Sequence, residues 1–392
     1  MSRRPHRRVV VTAVGLVSPA GESFDEFADA IVSGKSAASP IRNFDATLFP
    51  THFAAQVSPE EMGRARGDVD AGPAVRVDDM KSAWGVLAAK RALAAAGWKS
   101  SPPYPGDRVA VVLGTGLSSL VRGEMEEDIL PWLGDDGALD LPALGAAITK
   151  AGGHYSPARH LTDGVNRVIS RVAGVTGRSL SHFGACAAST QAIGDGFRMI
   201  RDGAAEAALV GGMDSMVHPF GMISFFLLGA LSSRNADMKN ACRPFQKGRD
   251  GFLMGEGAAM RAALADAQLA PDAVGYVNAH GTGTELNDPA EARAVRDVFG
   301  AHAAKLPISS VKPVIGHTIA AAGAFEFAAC LAAIQRKRIP PTSSLHRLED
   351  VDPECGGLDH VTAGGRAGSP EFLMTNNYGF GGQNASLILK RI

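Results

Sequence analysis

The sequence predicts an α/β protein built from stacked layers, because short apolar runs rich in β-branched residues alternate with segments of helical period. The predicted strands are 108–113, 178–183, 207–212, 273–277, 307–311 and 371–377. The clearest predicted helices are 80–96, 189–203 and 319–334. The last of these is apolar over nearly its whole length, which indicates a helix buried between layers.

The predicted strands also occur twice in the same order. The first three are matched, in sequence, by the last three, and the first strand of each set ends in glycines. We therefore expect one topology to be used twice, with the change of halves near residue 250. This gives an N-terminal half, 1–250, and a C-terminal half, 251–392.

Composition and charge exclude several classes of function. The chain is 45% hydrophobic, enough to bury a large core, and its formal net charge of −1 gives no indication of nucleic-acid or membrane-surface binding. The four cysteines show no C-x-x-C spacing, so neither a zinc site nor a disulfide framework is predicted. We expect a cytoplasmic protein, since reducing conditions suit a reactive thiol.

Two apolar stretches need a separate interpretation. Four arginines followed by residues 9–17 imitate a short secretory signal, but Thr12 and Gly15 interrupt the stretch and a turn follows it. A first strand is therefore predicted there. The run 220–231 is too short to span a bilayer, which needs about 20 residues, so we expect a buried wall or an interface.

Cys186 lies where the predicted strand 178–183 gives way to a predicted helix. A thiol at a helix start meets the positive end of the helix dipole and unpaired backbone N–H groups, which stabilise a thiolate and can hold an oxyanion. A cysteine among alanines is also typical of a small core residue. This position alone leaves both interpretations open.

Two histidines follow predicted strands in glycine-flanked loops. His280 lies in NAHGTGT and His317 in KPVIGH. The glycines let a substrate approach the backbone, and the hydroxyls of Thr282 and Thr284 can bind a polar chain. A cysteine and two distant histidines form a catalytic group only if the fold gathers them.

Four strings, GACAAST, NAHGTGT, KPVIGHTIAAAG and NNYGFGGQN, carry a family resemblance. In order and approximate spacing they resemble the β-ketoacyl-acyl-carrier-protein synthases of the elongating Cys-His-His type. The resemblance covers essentially the whole chain. It implies the thiolase fold, a duplicated layered α-β-α-β-α architecture, and an acyltransferase that uses neither a metal nor an organic cofactor.

The resemblance also implies a reaction. An acyl primer held on Cys186 would condense with a malonyl thioester on acyl carrier protein, losing carbon dioxide, in fatty-acid-like or polyketide biosynthesis. His280 and His317, as neutral imidazoles, would stabilise the enolate that decarboxylation leaves. The backbone N–H groups of Cys186 and Phe380 would hold the acyl oxygen.

Further residues match family positions. Lys312 and Glu326 correspond to accessory charged residues, for which we expect a structural and electrostatic role. Phe380, between two glycines, resembles a gate over the nucleophile. Leu117 and Phe225 match positions that line the primer pocket.

Some parts of the sequence depart from the family pattern. The segment 125–163 is rich in Gly, Asp and Pro and is predicted to be an irregular excursion carrying short helices. Gly184, Gln246 and Gln383 stand where the family commonly has Thr, Asp and Thr. These differences favour a specialised pathway over bulk fatty-acid elongation.

The expected partner is acyl carrier protein with acyl and malonyl groups on its phosphopantetheine. A dimer is also expected, because 220–231 carries more apolar surface than one helix face can hide. It would be homomeric or formed with a chain-length-factor subunit.

Three alternatives are less consistent with the motifs. A thiolase needs a second cysteine near the C-terminus, and the GFGG run offers none. An initiating condensing enzyme carries Asn where this chain has His317. A non-catalytic or decarboxylase-only chain-length-factor-like subunit lacks the nucleophile.

Overall fold

A computed structural model of the chain describes residues 7–68, 80–98, 103–116, 130–151, 163–261 and 269–392. Within these ranges the strands are β1 (Val14–Val17), β2 (Ala38–Pro40), β3 (Phe53–Ala55), β4 (Val109–Thr115), β5 (Ser179–His182), β6 (Ala207–Ser215), β7 (Glu256–Arg261), β8 (Val274–Asn278), β9 (Pro307–Ser309), β10 (Arg338–Ile339), β11 (Asp359–His360), β12 (Arg366–Ala367), β13 (Phe372–Gly379) and β14 (Gln383–Lys390). The helices are α1 (Phe24–Ser33), α2 (Pro59–Asp68), α3 (Met80–Ala95), α4 (Leu141–Ala151), α5 (Gly164–Val172), α6 (Ala188–Arg201), α7 (Pro219–Leu227), α8 (Asn287–Phe299), α9 (Lys312–Ile315) and α10 (Ala322–Arg336).

The first sheet has five strands in the order β1-β7-β6-β4-β5. Strand β4 pairs in parallel with β5 and β6, whereas β7 runs antiparallel to β6 and β1. Every residue of β4 is buried, as expected of a parallel strand with helices on both faces.

The second sheet has the order β11-β9-β8-β13-β14. Strand β8 pairs in parallel with β9 and β13, and β14 runs antiparallel to β13. The run β9-β8-β13-β14 therefore has the same order and directions as β5-β4-β6-β7 in the first sheet. This confirms the repeated topology that the sequence predicted.

Two helices, α6 and α10, form the layer between the sheets. Helix α6 contacts β4 and β6, α10 contacts β13 and β7, and the two helices contact each other. Each begins after one 3₁₀ turn, Ala185–Ala187 or Ile319–Ala321. The first residue of each turn has a positive φ, 44° at Ala185 and 41° at Ile319, which is uncommon for residues other than glycine. The internal repeat therefore extends to the way the central helices begin.

Helix α10 lies at the centre of the core. Eleven of its 15 residues are buried, and most are alanine, glycine or phenylalanine. By length and composition the window Ile319–Arg336 could cross a membrane, but 78% of it is buried inside the protein. Its apolar character is that of a core helix, as the sequence predicted.

The outer layers complete the architecture. Helices α3 and α5 pack together on the outer face of the first sheet, and α8 packs apolar side chains against β8 on the second. Helix α1 lies against α10 and is closed at its N-terminus by a capping box of Ser23 and Glu26. The layers run α-β-α-β-α, as predicted.

The apolar run 220–231 falls mainly in α7, which begins with a proline and with His218 as its N-cap. Phe225 is buried at 8% exposure, whereas Leu227 and Leu228 are 76% and 65% exposed. The run therefore forms a buried wall on one side and an apolar surface on the other.

Two sequence-based predictions are covered only in part. The segment 125–163 contains a 3₁₀ turn, Leu130–Trp132, and helix α4, while its residues 125–129 and 152–162, like Leu117, lie outside the described residues. The division of the chain near residue 250 stays a prediction. The strand that follows this point, β7, pairs with β6 and β1 in the first sheet.

Candidate active site

Cys186 lies in the 3₁₀ turn between β5 and α6, where the sequence placed it, and is 1% exposed. Its sulfur accepts a hydrogen bond from the backbone N–H of Phe380, in the turn that joins β13 to β14. The two structural repeats therefore meet at the thiol. One supplies the nucleophile and the other supplies a backbone donor.

The protonation state of Cys186 differs from the sequence-based expectation. A helix terminus was expected to favour the thiolate, but burial raises the pKa of the thiol to about 12. The charge of Lys312 and the Phe380 N–H oppose this rise without overcoming it. Complete removal from water is the dominant effect, so the resting side chain is a neutral thiol.

His280 follows β8, His317 follows α9, and the fold brings both to Cys186. The two ring centroids are 5.2 Å apart with the rings nearly perpendicular. The sulfur of Cys186 and one nitrogen from each imidazole all lie within 4.8 Å of one another. The structure thus gathers the three side chains that the sequence singled out.

Both imidazoles are neutral at physiological pH. Burial, followed by the charge of Lys312, lowers the pKa of His280 and of His317 well below the usual 6.5. This direction agrees with the neutral histidines that the sequence analysis expected. Desolvation is the larger cause.

Lys312 and Glu326 form an ion pair in which each side chain is 1% exposed. The ammonium group also donates to the carbonyl oxygen of His280 at 2.5 Å and lies 3.2 Å from its Nδ1. Burial raises the pKa of Glu326 to about 7, against the opposing charge of Lys312. Either charge alone would be costly at this depth, so each compensates the other.

A cavity of about 640 Å³ opens beside these residues. Cys186, His280 and His317 lie at its base, and its walls include Thr282, Thr284, Leu286, Asn287, Phe252 and Phe380. Phe380, which also lines the cavity, is 53% exposed. A long substrate with a polar stem can enter along the threonine side and present its reactive end to Cys186.

The cysteine and two histidines have the residue types of a metal site, but their surroundings suit another chemistry. The Lys312 ammonium group would repel a cation at His280, and a thiol with a pKa of about 12 is a poor ligand unless it loses its proton. Neutral imidazoles beside a thiol can instead donate hydrogen bonds to a developing oxyanion.

Comparison with known proteins identifies the family. The family models for the N-terminal and C-terminal domains of β-ketoacyl synthase match residues 6–264 and 247–346. A 3-oxoacyl-acyl-carrier-protein synthase 2 from Coxiella burnetii is 32% identical, over 98% of this chain and 99% of the relative. The chain belongs to the β-ketoacyl synthase family.

Two further relatives extend the likeness to polyketide enzymes. The ketoacyl synthase alpha subunit of the tetracenomycin polyketide synthase from Streptomyces glaucescens is 28% identical, over 100% of this chain and 99% of that protein. The solved structure of the ishigamide ketosynthase/chain length factor is 27% identical, has a TM-score of 0.78 and covers 99% of this chain and 100% of its own. The predicted family, the thiolase fold and the acyltransferase class of enzyme are confirmed.

Two buried carboxylates that were not predicted from the sequence hold the His280 loop of this ketosynthase. Glu291 accepts the backbone N–H groups of His280 and Gly281, each at 2.8 Å. Asp288 accepts those of Thr282, Gly283 and Phe245. Both lie on α8, directly after the HGTGT string, where acidic residues near a helix start are ordinarily read as favourable to the helix dipole.

A third missed residue is Asn377 on β13, which is fully buried. Its side-chain amide donates to Glu326 at 2.6 Å and lies 3.3 Å from Nδ1 of His280. A polar residue at a strand end, just before a glycine-rich turn, carried no signal of this role in the sequence.

The predicted pocket residues are placed as follows. Thr282 and Thr284 line the cavity, with their hydroxyl oxygens 2.9 Å apart. Phe225 packs against Phe380 and Phe252, with ring centroids 6.1 Å and 5.8 Å apart. Leu117 lies outside the described residues, so its predicted place in the pocket stays a prediction.

Two of the departures from the family pattern lie together. A Cβ atom at Gly184 would come within 2.4 Å of Oε1 of Gln191 and 2.7 Å of Oε1 of Gln383. Those two amides hydrogen-bond at 3.1 Å, so the glycine leaves the room that they occupy. The third departure, Gln246, donates to Ser344 at 2.9 Å.

Proposed function

We propose that this ketosynthase condenses an acyl primer, held as a thioester on Cys186, with a malonyl thioester on acyl carrier protein. The observation that carries the proposal is the meeting of Cys186, His280 and His317 at the base of one cavity. The products are carbon dioxide and a β-ketoacyl carrier thioester. The names of the relatives, which include fatty-acid and polyketide synthases, support this class of substrate.

In the first half-reaction the sulfur of Cys186 attacks the primer carbonyl, and the carrier thiol leaves. The thiol proton passes to the departing carrier sulfur, so no net proton is released. The N–H of Phe380, which donates to the resting thiol, lies close enough to support the oxyanion that forms on the acyl oxygen. A thiol that is neutral at rest is protected from oxidation and alkylation until substrate arrives.

In the second half-reaction the malonyl unit loses its carboxyl group as carbon dioxide, which leaves an enolate on the thioester oxygen. Neutral His280 and His317 donate N–H hydrogen bonds to that oxygen. The enolate carbon then attacks the primer carbonyl, and Cys186 departs as the thiolate and takes up a proton. The charge of Lys312 beside His280 disfavours an imidazolium and so keeps the donor neutral.

The threonine-lined wall of the cavity suits a phosphopantetheine arm. Thr282 and Thr284 offer hydroxyls to its amides, and Leu286, which is 86% exposed at the rim, offers apolar contact. Acyl carrier protein is therefore the proposed partner. A cytoplasmic location is also proposed, and the buried reactive thiol and the names of the relatives support it.

A dimer is also proposed, with a second copy or a chain-length-factor subunit as the partner. The exposed Leu227 and Leu228 at the C-terminal end of α7 support it, as do Leu180 in the edge strand β5 and Phe183 directly after it, which are 41% and 55% exposed. Apolar side chains at a sheet edge are commonly covered by another chain. A non-catalytic role for this chain itself is not favoured, because nucleophile and both histidines are present and assembled.

The test is a condensation assay with a series of acyl carriers and malonyl carrier protein. Peptide mass spectrometry after the primer alone is added should find the acyl group on Cys186 and not on Cys242, Cys330 or Cys355. Subsequent addition of malonyl carrier should release it as β-ketoacyl product. An active enzyme whose acyl group lies on another residue, or a folded protein without any adduct across the series, would contradict the proposal.

A further inference from the structure

A buried chain of hydrogen bonds runs from the nucleophile helix to the nitrogen of His280 that faces away from the cavity. The hydroxyl of Thr190, on α6, donates to Oδ1 of Asn377 at 2.5 Å. The amide nitrogen of Asn377 donates to Oε2 of Glu326 at 2.6 Å and lies 3.3 Å from Nδ1 of His280. Thr190 is 1% exposed and Asn377 is fully buried, so water does not compete.

The chemistry of the contacts decides how the amide is oriented. A carboxylate accepts only, so Glu326 requires the NH₂ end of Asn377. The Thr190 hydroxyl satisfies the carbonyl end, which leaves the second amide hydrogen directed toward His280. The side-chain amide therefore cannot turn without losing both partners.

In the part of the chain that the structure describes, hydrogen-bond donors lie beside only one nitrogen of His280. The groups near Nδ1 are the Lys312 ammonium at 3.2 Å and the Asn377 amide at 3.3 Å, and both donate. Nδ1 must then be the acceptor, so the ring hydrogen of the neutral imidazole is on Nε2. By contrast, Nδ1 of His317 is buried without a hydrogen-bond partner among the described residues.

We propose that Asn377, oriented by Thr190, is a positioning residue that holds His280 in the Nε2-protonated tautomer, the form that donates to the malonyl enolate. The inference rests on the proposed function of His280. It assigns the decarboxylation step, and not the acylation of Cys186, to this network. Neither Thr190 nor Asn377 contacts the reacting atoms, so both act through His280.

The fold makes room for this contact at one glycine. A Cβ atom at Gly323, near the start of α10, would lie 1.8 Å from the Thr190 hydroxyl and 2.7 Å from Oδ1 of Asn377. Both sheets are thus linked through a point where the central helices can accept no side chain. A substitution at Gly323 should therefore slow the same step, decarboxylation, as a substitution at Thr190.

The experiment compares Thr190→Val with Thr190→Ser, which keeps the hydroxyl. Thr375→Val is the matched control, because Thr375 lies on the same strand as Asn377, is buried and has a hydroxyl that bonds to none of the described residues. Malonyl-carrier decarboxylation and single-turnover acylation of Cys186 are measured separately for each. Thr190→Val should slow decarboxylation about ten-fold, as expected for one lost buried hydrogen bond, and leave acylation unchanged. Thr190→Ser and Thr375→Val should match the wild type in both steps.

A second readout follows the tautomer itself. In ¹⁵N-histidine-labelled protein, the signals assigned to His280 should show a protonated Nε2 in the wild type and a mixture of tautomers in Thr190→Val. In the pH–rate profile of decarboxylation, the acid limb should also move to higher pH in this variant, since Nδ1 of His280 becomes easier to protonate. Gly323→Ala should reproduce both effects. Gly194→Ala should not, because the nearest atoms to its added methyl group belong to the Arg198 side chain, at 3.5 Å or more.

Wild-type decarboxylation in folded Thr190→Val would overturn the inference, as would an equal loss of both half-reactions or a wild type with hydrogen on Nδ1. If the wild type itself neither acylated nor decarboxylated, the proposed function would fail, but the tautomer measurement would still decide the positioning role. The two failures are therefore distinguishable.

Discussion

The carboxylate of Glu291 accepts a hydrogen bond from the backbone N–H of His280 at 2.8 Å and thereby fixes the backbone position from which the imidazole projects. The same carboxylate takes the N–H of Gly281, so two buried donors at the catalytic loop depend on one side chain. Glu291 is itself 1% exposed. The position of His280 is thus determined both by strand β8, which precedes it, and by the second turn of α8, which follows its loop.

Glu291→Gln should destabilise the protein and slow turnover. The amide keeps one acceptor oxygen and places a second donor against a backbone N–H, so about 1–3 kcal/mol of unfolding free energy should be lost. Urea unfolding measures this directly. Asp297→Asn, an exposed carboxylate on the same helix, should leave the midpoint unchanged, and an equal effect of both variants would contradict the role given to Glu291.

Cys186→Gln should abolish condensation and preserve malonyl decarboxylation. The glutamine amide can occupy the position of the acyl oxygen while both histidines stay in place. Carbon dioxide release from malonyl carrier protein, measured without primer, checks the prediction. Loss of both activities in a folded variant would show that the thiol takes part in decarboxylation.

His317→Ala should separate the half-reactions in the opposite direction. Removing one oxyanion donor should slow decarboxylation about a hundred- to a thousand-fold while Cys186 still accepts the primer. Mass spectrometry of the acylated cysteine and the rate of carbon dioxide release report the two steps. His346→Ala, an exposed histidine, is the control, and absence of the acyl adduct would mean that His317 also serves acylation.

Phe225→Ala should lengthen the accepted primer. Its ring packs against Phe252 and Phe380, so its removal opens space beside the gate. Each buried CH₂ is worth about 0.8 kcal/mol, so preference should shift about four-fold for each carbon that the new space admits. Phe226→Ala is the control for a general loosening of α7. If both variants changed the primer preference in the same way, Phe225 would not be a specific wall of the pocket. Leu117→Phe is expected to shorten the primer.

Glu256 should make the stability of the protein fall as pH rises. The side chain is fully buried, accepts from Ser215 and the N–H of Val57, and burial raises its pKa from 4.5 to about 8. The folded state therefore holds a proton that the unfolded state has released. Its contribution is complete below about pH 4.5 and is lost as pH approaches 8, at up to about 1.4 kcal/mol per pH unit.

Glu256→Gln carries no titrating group and isolates this effect. The difference in unfolding free energy between wild type and variant should decline steadily from pH 5 to pH 8. Buried neutral histidines, which act in the opposite direction below pH 6.5, cancel in that difference. A difference that does not change with pH would show that Glu256 ionises normally.

Local pattern was sufficient to predict the strands, the repeat and the places of Cys186, His280 and His317. Each of these lies at a strand or helix end marked by glycines, and the turns that end strands and helices have recognisable residue patterns. The pairing of Lys312 with Glu326 could also be expected, since a carboxylate in an apolar helix needs a partner.

Properties that depend on contacts between distant segments could not be predicted. Asn377 on β13 contacts His280, which follows the neighbouring strand β8, and nothing near Asn377 in the sequence indicates that contact. The pKa of Cys186 was misjudged because the helix start is local and visible in the sequence, whereas complete burial of the thiol is a property of the assembled fold.

The placement of α7 has a consequence for how such an enzyme can diversify. Cys186, His280, Lys312 and Glu326 are all buried beside the central helices, where a methyl group added at Gly323 would meet Thr190 and Asn377. Phe225 belongs instead to a short peripheral helix with two exposed leucines beside it. Mutations in α7 can therefore accumulate and change which carbon chain is accepted while the bond-forming chemistry is inherited intact, so relatives that share these motifs need not share a product.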